Sequence, residues 1–521
     1  MNFKLFLIVL LVISSCSTPK NSTLDLFDCV PQNSVITIQL NDQNILKNAI
    51  NNLPFLSNIL AIDTVLYKKI SAVIPKNFNN KALLSFTPVG KSEYAISFIY
   101  KPVLKDSLPD VMSEKIKYNN IPVSINTNKD TKTFIAEIED VRIISTSKLV
   151  IENSIRNIQN NEPGIQNHYY FDLAKIIDDN APMNLIIHQD FKDVLNRFFA
   201  ETPLFPFTGS DWFSFDFNTK KDPFTLDGVS FINDSIPDVL SLLKGTGSKS
   251  LLSPEYVPQN FDSFLALAIK DYKALEDNFK QFSRYKNIAL TEINFDLLNT
   301  VDEISWLKTN NKKALFFHLN NSEKIDPLLL SEDNVSTIFR GVRIHQHSLP
   351  KDLLKFIAAY GIPVFPKWTI KIDDFVIMAE DDSFLKQIIG AHMDGKTLGD
   401  DFNFKKMQDG LADNSSFLWV GKTKNLTNLW HEAFKNKSVG WKKIDLTKYP
   451  LVALQGISED GFVQTRFTAQ SNNVDQNKNS VTNQYSFSLD VAAARPAKWI
   501  KNHRSKTMDL VVQDQELYEH L

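Results

Sequence analysis

The chain has 521 residues, 43% hydrophobic and 22% charged, a globular balance with enough apolar surface for a packed core and enough length for roughly two to four domains. Its 57 Lys and Arg against 60 Asp and Glu leave a formal charge of -3, which argues against nucleic acid as a partner.

At the N-terminus Lys4 precedes an unbroken apolar run over residues 5–13, and Ile13-Ser14-Ser15-Cys16 follows. The run is too short to cross a bilayer and has the layout of a secretory signal. The four residues resemble a bacterial lipobox. The reading therefore assigns 1–15 to a lipoprotein signal peptide, Cys16 to lipidation, and 16–24 to the lipidated Cys and its tether. Acyl chains on Cys16, at about 0.8 kcal/mol for each buried CH₂, would make a lasting anchor. Residues 17–23 carry no acidic cluster, which by the same resemblance points to the periplasmic face of the outer membrane. Once Cys16 is lipidated, Cys29 is the remaining thiol, so no intramolecular disulfide is expected and Cys29 reads as a small hydrophobe.

After Val30-Pro31-Gln32-Asn33, the residues Ile36, Ile38 and Leu40 alternate with Thr37 and Gln39, the pattern of a strand with one buried face. A capped helix should carry Ile45, Leu46, Ala49, Ile50 and Leu53 on one side, and a second helix is expected over 64–73. Strands follow over 81–86 and 94–100, then three strand-like runs from Ile121, the last at 141–145. A helix with Ile151, Ile155 and Ile158 on its apolar side leads to a helix over 171–177 and a strand over 184–188. Next come a helix with Phe191, Val194, Leu195 and Phe198 aligned, and a hairpin of strands over 212–217 and 224–231. Gly245-Thr246-Gly247-Ser248 reads as a linker.

At Val257-Pro258-Gln259-Asn260 the tetrapeptide returns, followed by an apolar run over 264–269 and a helix carrying Ala274, Leu275, Phe279 and Phe282. Asn310-Asn311-Lys312-Lys313-Ala314-Leu315 matches Asn79-Asn80-Lys81-Ala82-Leu83, and the segment 402–418 lies over 171–187 without a gap. The closing hairpin returns as 451–455, Glu459-Asp460-Gly461 and 462–467, Asp-Gly being a strong hairpin signal. The second copy carries an insertion over 351–361 that reads as a helix. These matches predict an α+β fold: two tandem homologous repeats, 25–245 and 251–470, each of mixed or antiparallel sheets with helices packed on one face. Residues 471–521 read as a polar linker and a remnant of a further region.

The remnant includes Trp499-Ile500-Lys501-Asn502-His503 and Asp509-Leu510-Val511-Val512-Gln513-Asp514. Together with the lipobox and the repeated units, these motifs resemble uncharacterised envelope lipoproteins of the Bacteroidota. That resemblance implies a duplicated α+β domain of unknown function, normally followed by a β-propeller-like region. This chain stops at Leu521, where such repeats would begin, so residues 510–512 are expected to be a lone unpaired strand.

The search for chemistry finds His345-Gln346-His347, where alternate strand residues would put two imidazoles on one face as weak candidate metal ligands, with His318 as a guessed third. Asp373-Asp374 and Glu380-Asp381-Asp382 supply carboxylates, the second group reading as helix capping. No nucleophile elbow, P-loop, dinucleotide fingerprint or zinc-protease motif is present, and no catalytic residue or cofactor is expected. The leading expectation is a non-catalytic binding or scaffolding module held to the membrane by acyl chains, its partner another envelope protein or a lipid. The alternatives are an envelope hydrolase, metal-dependent through His345 and His347, and a lipid carrier.

Overall fold

The computed structural model describes residues 24–41, 64–75, 78, 81–90, 93–102, 114–128, 131–190, 211–218, 224–288, 299–310, 312–321, 336–360, 363–424, 449–471, 494, 498–501, 508–515 and 519–520. Several expectations lie outside them: the leader with Cys16 and the helices over 45–53 and 191–198. The chain forms two compact units, Met1–Asn472 and Asn473–Leu521.

Among the described residues, ten strands occupy the first half of the large unit. They are β1 Ile36–Leu40, β2 Ala82–Val89, β3 Glu93–Tyr100, β4 Glu114–Tyr118, β5 Ile121–Asn128, β6 Thr131–Ile138, β7 Val141–Ser145, β8 Met183–His188, β9 Trp212–Asn218 and β10 Phe224–Phe231. Ten more follow: β11 Ser263–Ala268, β12 Val301–Thr309, β13 Lys312–Leu319, β14 Ser336–Phe339, β15 Val342–Gln346, β16 Trp368–Ile372, β17 Phe375–Ala379, β18 Phe417–Lys422, β19 Leu451–Ser458 and β20 Phe462–Gln470.

Every ladder is antiparallel, and together they run β4-β5-β6-β7-β3-β2-β1-β8-β9-β10 and then, without a break, β20-β19-β18-β11-β12-β13-β17-β16-β15-β14. The halves join through β10 and β20, paired from Phe224↔Ala469 to Phe231↔Phe462. The join has a physical reason. Two separate sheets would each expose a long edge strand rich in β-formers, and pairing β10 with β20 removes both edges.

Helices cover both faces. On one face, α1 Thr64–Val73 packs through Val73 against Leu84 and Phe98. On the other, α2 Lys148–Gln159 and α3 His168–Ile176 bury Ile151, Ile155, Tyr170 and Leu173 against Leu83, Ile99, Ile186 and Trp212. In the second half, α4 Tyr272–Tyr285 and α5 Lys351–Ala358 cover Leu265, Trp306 and Phe317, while α6 Asp382–Met393 and α7 Phe402–Gln408 cover Phe264, Phe316 and Leu418 from the opposite side.

The expected α+β class, with two tandem repeats of mixed or antiparallel sheets and helices on one face, is therefore corrected. The large unit is one open, all-antiparallel sheet of 20 strands with helices on both sides. The burial shows why the sequence pattern misled. Thr37 and Gln39, taken as the solvent side of β1, are each 1% exposed, and all five residues of β17 are buried. Strands covered on both faces lose the simple alternation that a half-exposed strand displays.

The repeated tetrapeptide has one structural use in both places: Val30 and Val257 are fully buried in the cores beneath α2–α3 and α6–α7. Gly164 permits the first, because a Cβ there would meet the Val30 carbonyl oxygen at 1.9 Å. Asp381 caps α6 by accepting the Phe384 N–H at 2.9 Å, as expected for that carboxylate group. The segment read as a linker is packed, with Thr246 fully buried and its Oγ1 donating to the Leu243 carbonyl at 2.9 Å.

In the small unit, β21 Lys498–Lys501, β22 Met508–Gln513 and β23 Glu519–His520 form an antiparallel three-stranded sheet. The strand expected to stand alone is thus paired on both sides.

Candidate functional site

Strand register places six polar side chains in one row across the middle of the large sheet. Gln39 of β1 opposes Asn184 of β8, which opposes Asp216 of β9; Asp216 opposes Asp227 of β10, Asp227 opposes Arg466 of β20, and Arg466 opposes Gln455 of β19. Directly opposed residues project from the same face, here the face of α2, α3, α6 and α7.

Hydrogen bonds fix both ends of the row. Gln39 Nε2 donates to Asn184 Oδ1 at 3.1 Å, and Asn184, 0% exposed, donates to Asp216 Oδ1 at 2.7 Å. The Asp178 N–H donates to Asp216 Oδ2 at 3.2 Å. At the far end Gln455 donates to the Ala412 carbonyl and to Ser415 Oγ, both at 2.7 Å, and accepts the Ala412 N–H at 2.9 Å.

Between these ends lies an open cavity of about 320 Å³. Asp216, Asp227, Arg466 and Gln455 make one row of its floor, and Ser214, Val229, Gln464 and Ile457 make the next row along the same strands. Ile176, at the end of α3 and 52% exposed, stands at the cavity with Ala412, which follows α7. The strands of the floor approach closely: a Cβ on Gly228 would meet the Ser214 carbonyl oxygen at 2.2 Å.

The charges do not balance. Asp227 Oδ1 accepts from Arg466 Nε at 2.5 Å, and Arg466 Nη1 donates to the Gly410 carbonyl at 2.8 Å. The Asp216 carboxyl is pushed above its ordinary range chiefly by burial, with the Asp178 and Asp227 charges adding to it against the bonds from Asn184 and the Asp178 amide. Two carboxylates at opposed strand positions with one guanidinium can hold a cation or a set of hydrogen-bond donors.

A second cavity, of about 480 Å³, is lined by Leu24, Phe27, Phe171 and the lysines Lys81, Lys101 and Lys175. Its cations are already matched, Lys81 to Asp179 at 2.6 Å, Lys101 to Asp140 at 2.7 Å and Lys175 to Asp172 at 3.2 Å.

The residues singled out by sequence lie elsewhere. His345 on β15 is buried and opposes Thr369, while His347 follows the end of the strand, its N–H bonding the Lys367 carbonyl at 2.8 Å. His318 on β13 pairs with Asp302 at 2.5 Å, and Lys249 reaches the same carboxylate at 2.8 Å. Through Thr369 and Met378, His345 is level with Leu315, so His318 lies three residues away on the other face. Among the described residues, no group of three or more His, Cys, Asp or Glu is placed to hold a metal ion. Asp373 sits in the turn between β16 and β17 and accepts from the Tyr256 hydroxyl at 2.9 Å. The Cys29 thiol is pushed up to about 12, first by burial and then by the Asp28, Asp25 and Asp140 charges, which keeps it protonated. Among the described residues, no helix is long and apolar enough to cross a membrane.

Sequence reasoning missed Asn184, Asp216, Asp227 and Arg466. Asn184 stands between Met183 and Leu185, Asp216 between Phe215 and Phe217, and Arg466 follows Thr465 in a strand with several polar residues, so nothing within one strand marks them and only cross-strand register aligns them.

No family model matches the sequence, and no curated protein matches it. Among solved structures the chain is similar to crystal forms I, IV and III of a protein titled TP0453. The identities are 10%, 12% and 10%, with TM-scores of 0.26, 0.25 and 0.25. The matches cover 41%, 40% and 44% of this chain and 80%, 81% and 90% of those chains.

Proposed function

We propose that the protein is a lipid-anchored binding module of the bacterial cell envelope, held to the periplasmic face of the outer membrane by acyl chains on Cys16, and that the central groove is its ligand site. The anchor rests on the sequence: Lys4, the apolar run over 5–13 and Cys16 stand in the order and spacing of a lipoprotein leader. The resemblance to Bacteroidota envelope lipoproteins supports the same address. One structural observation carries the binding site. A row of charged and amide side chains crosses the middle of the sheet and opens into a cavity of about 320 Å³, although the strands on either side of it bury apolar cores. Charged groups left in a cleft while the rest of the sheet is packed are a pointer to recognition.

A pull-down of the lipidated protein from intact envelopes tests this reading, with Cys16→Ser and Ser214→Trp forms alongside. The expected result is a partner recovered with the native chain, reduced when the anchor is removed and lost when the groove is filled. Recovery of the same partner at the same yield by the Ser214→Trp form would remove the groove from the account.

A further inference from the structure

We propose that the groove receives a basic side chain, lysine or arginine, from a partner polypeptide, its cationic group seated between the carboxylates of Asp216 and Asp227. This rests on the reading of the groove as a ligand site and adds the chemistry of the ligand.

The argument is one of charge complementarity within a built cavity. Asp216 and Asp227 oppose each other on β9 and β10 and both line the groove. Like charges at directly opposed positions of a sheet disfavour folding, so their placement needs an offsetting partner. The protein supplies half of one. Arg466 faces Asp227, and its remaining bond on this side goes to the Gly410 carbonyl. Asp216 is held by neutral donors, the Asn184 amide and the Asp178 N–H, and the Asp178 and Asp227 charges both push its carboxyl up. The groove therefore carries an excess of carboxylate over guanidinium. A second cation from outside would complete an alternating line of carboxylate, cation, carboxylate and guanidinium, each neighbour of opposite sign.

The rest of the lining suits a side chain on a polypeptide. Val229, Ile457, Ala412 and the exposed Ile176 offer apolar surface for the methylene stem of a lysine or arginine, and Gln464 and Ser214 offer hydrogen bonds for a backbone. Among the described residues, the charged groups named at the site are Asp216 on β9, Asp227 on β10, Arg466 on β20 and Asp178 in the loop after α3. Protonation of Asp216 removes half of the cation's seat, so binding should weaken as pH falls through the raised range of that carboxyl.

The experiment is a titration of the full chain, in detergent, with a penta-lysine peptide and with its penta-glutamine counterpart, at low and moderate salt. The native chain should bind the lysine peptide, bind it more weakly at higher salt, and prefer it at least about tenfold over the glutamine peptide. Asp216→Asn should lower that affinity about tenfold, while Asp382→Asn, on the surface of α6, should leave it within about twofold. Val229→Lys, which supplies an ammonium from the groove floor, should abolish the preference while keeping the native melting transition. Equal binding of the two peptides by the native chain would overturn the basic-ligand assignment, as would equal binding of the lysine peptide by native and Asp216→Asn chains. Loss of the envelope partner on groove filling, combined with no peptide preference, would retain the groove and reject the cation. Partner recovery unaffected by groove filling would reject both.

Discussion

Asp216 and Asp227 face each other across β9 and β10, and the guanidinium of Arg466 lies against Asp227 on the far side, at 2.5 Å. The arrangement trades stability for a charged floor. Asp216→Asn keeps the shape and removes the repulsion but trades one of the two acceptor oxygens for an amide NH₂ facing the Asn184 or Asp178 donor, so measured against the native chain it should be about 0.5–1 kcal/mol better at neutral than at acidic pH. The sign follows from the raised carboxyl. The native chain gains from this group at low pH and loses that gain as pH rises through the raised value, so the advantage of Asp216→Asn should fade on acidification. Urea unfolding of both forms at neutral and acidic pH would show it, and a stability difference between the two forms that does not change with pH would contradict the reading.

Removing the guanidinium acts in the opposite direction. Arg466→Met leaves Asp227 beside Asp216 and strips a donor from the Gly410 carbonyl, and because the pair is partly exposed the cost should be about 1 kcal/mol. Adding Asp216→Asn to Arg466→Met should recover part of that cost. Strict additivity of the two changes in a double-mutant cycle would show that the row is not electrostatically coupled.

Glu303 ties the segment before β11 to β12. It is 0% exposed on β12 and accepts from the backbone N–H of Leu252 at 2.8 Å and of Ser253 at 3.0 Å, and from the Ser253 hydroxyl. Glu303→Ala would strand the donors of the fully buried Ser253, at a cost of about 3 kcal/mol. A denaturant midpoint unchanged by the substitution would show that the segment is held by other means.

Asp238 should dominate the acid side of the stability profile. Burial raises its carboxyl to about 6, against bonds from the Ser241 and Leu240 amides and the Ser241 hydroxyl. A raised acid favours the folded state while protonated, so its contribution is complete below about pH 4 and is lost as pH rises to about 6, on the order of 3 kcal/mol in all. Melting temperature followed between those limits should drop for the native chain and change less for Asp238→Asn; parallel profiles would place the raised group elsewhere.

Much of the local structure is legible in the sequence. The expected helix over 64–73 is α1, the helix over 351–361 contains α5, and Asp460-Gly461 makes the β19–β20 turn with Gly461 at φ +92°. These are short-range patterns carried by neighbouring residues. The edge strands escaped: in β4, Glu114, Lys115 and Lys117 carry too much charge for an apolar run, and β14 is four residues long. The β10–β20 ladder left no trace, since it joins segments far apart in the chain. The candidate site was illegible for the same reason. His345 and His347 drew attention because spacing within one strand is visible, whereas Asp216, Asp227 and Arg466 meet only through pairing between strands.

The most direct test of the groove as the ligand site is site-specific photo-crosslinking in intact envelopes, with a photoreactive residue replacing Ile457 on the groove floor and, as control, Leu149 on α2. The account predicts a discrete adduct from position 457 that is absent from position 149 and disappears when Ser214→Trp fills the groove. An adduct of equal yield from both positions, or none from 457 while 149 reacts, would contradict it.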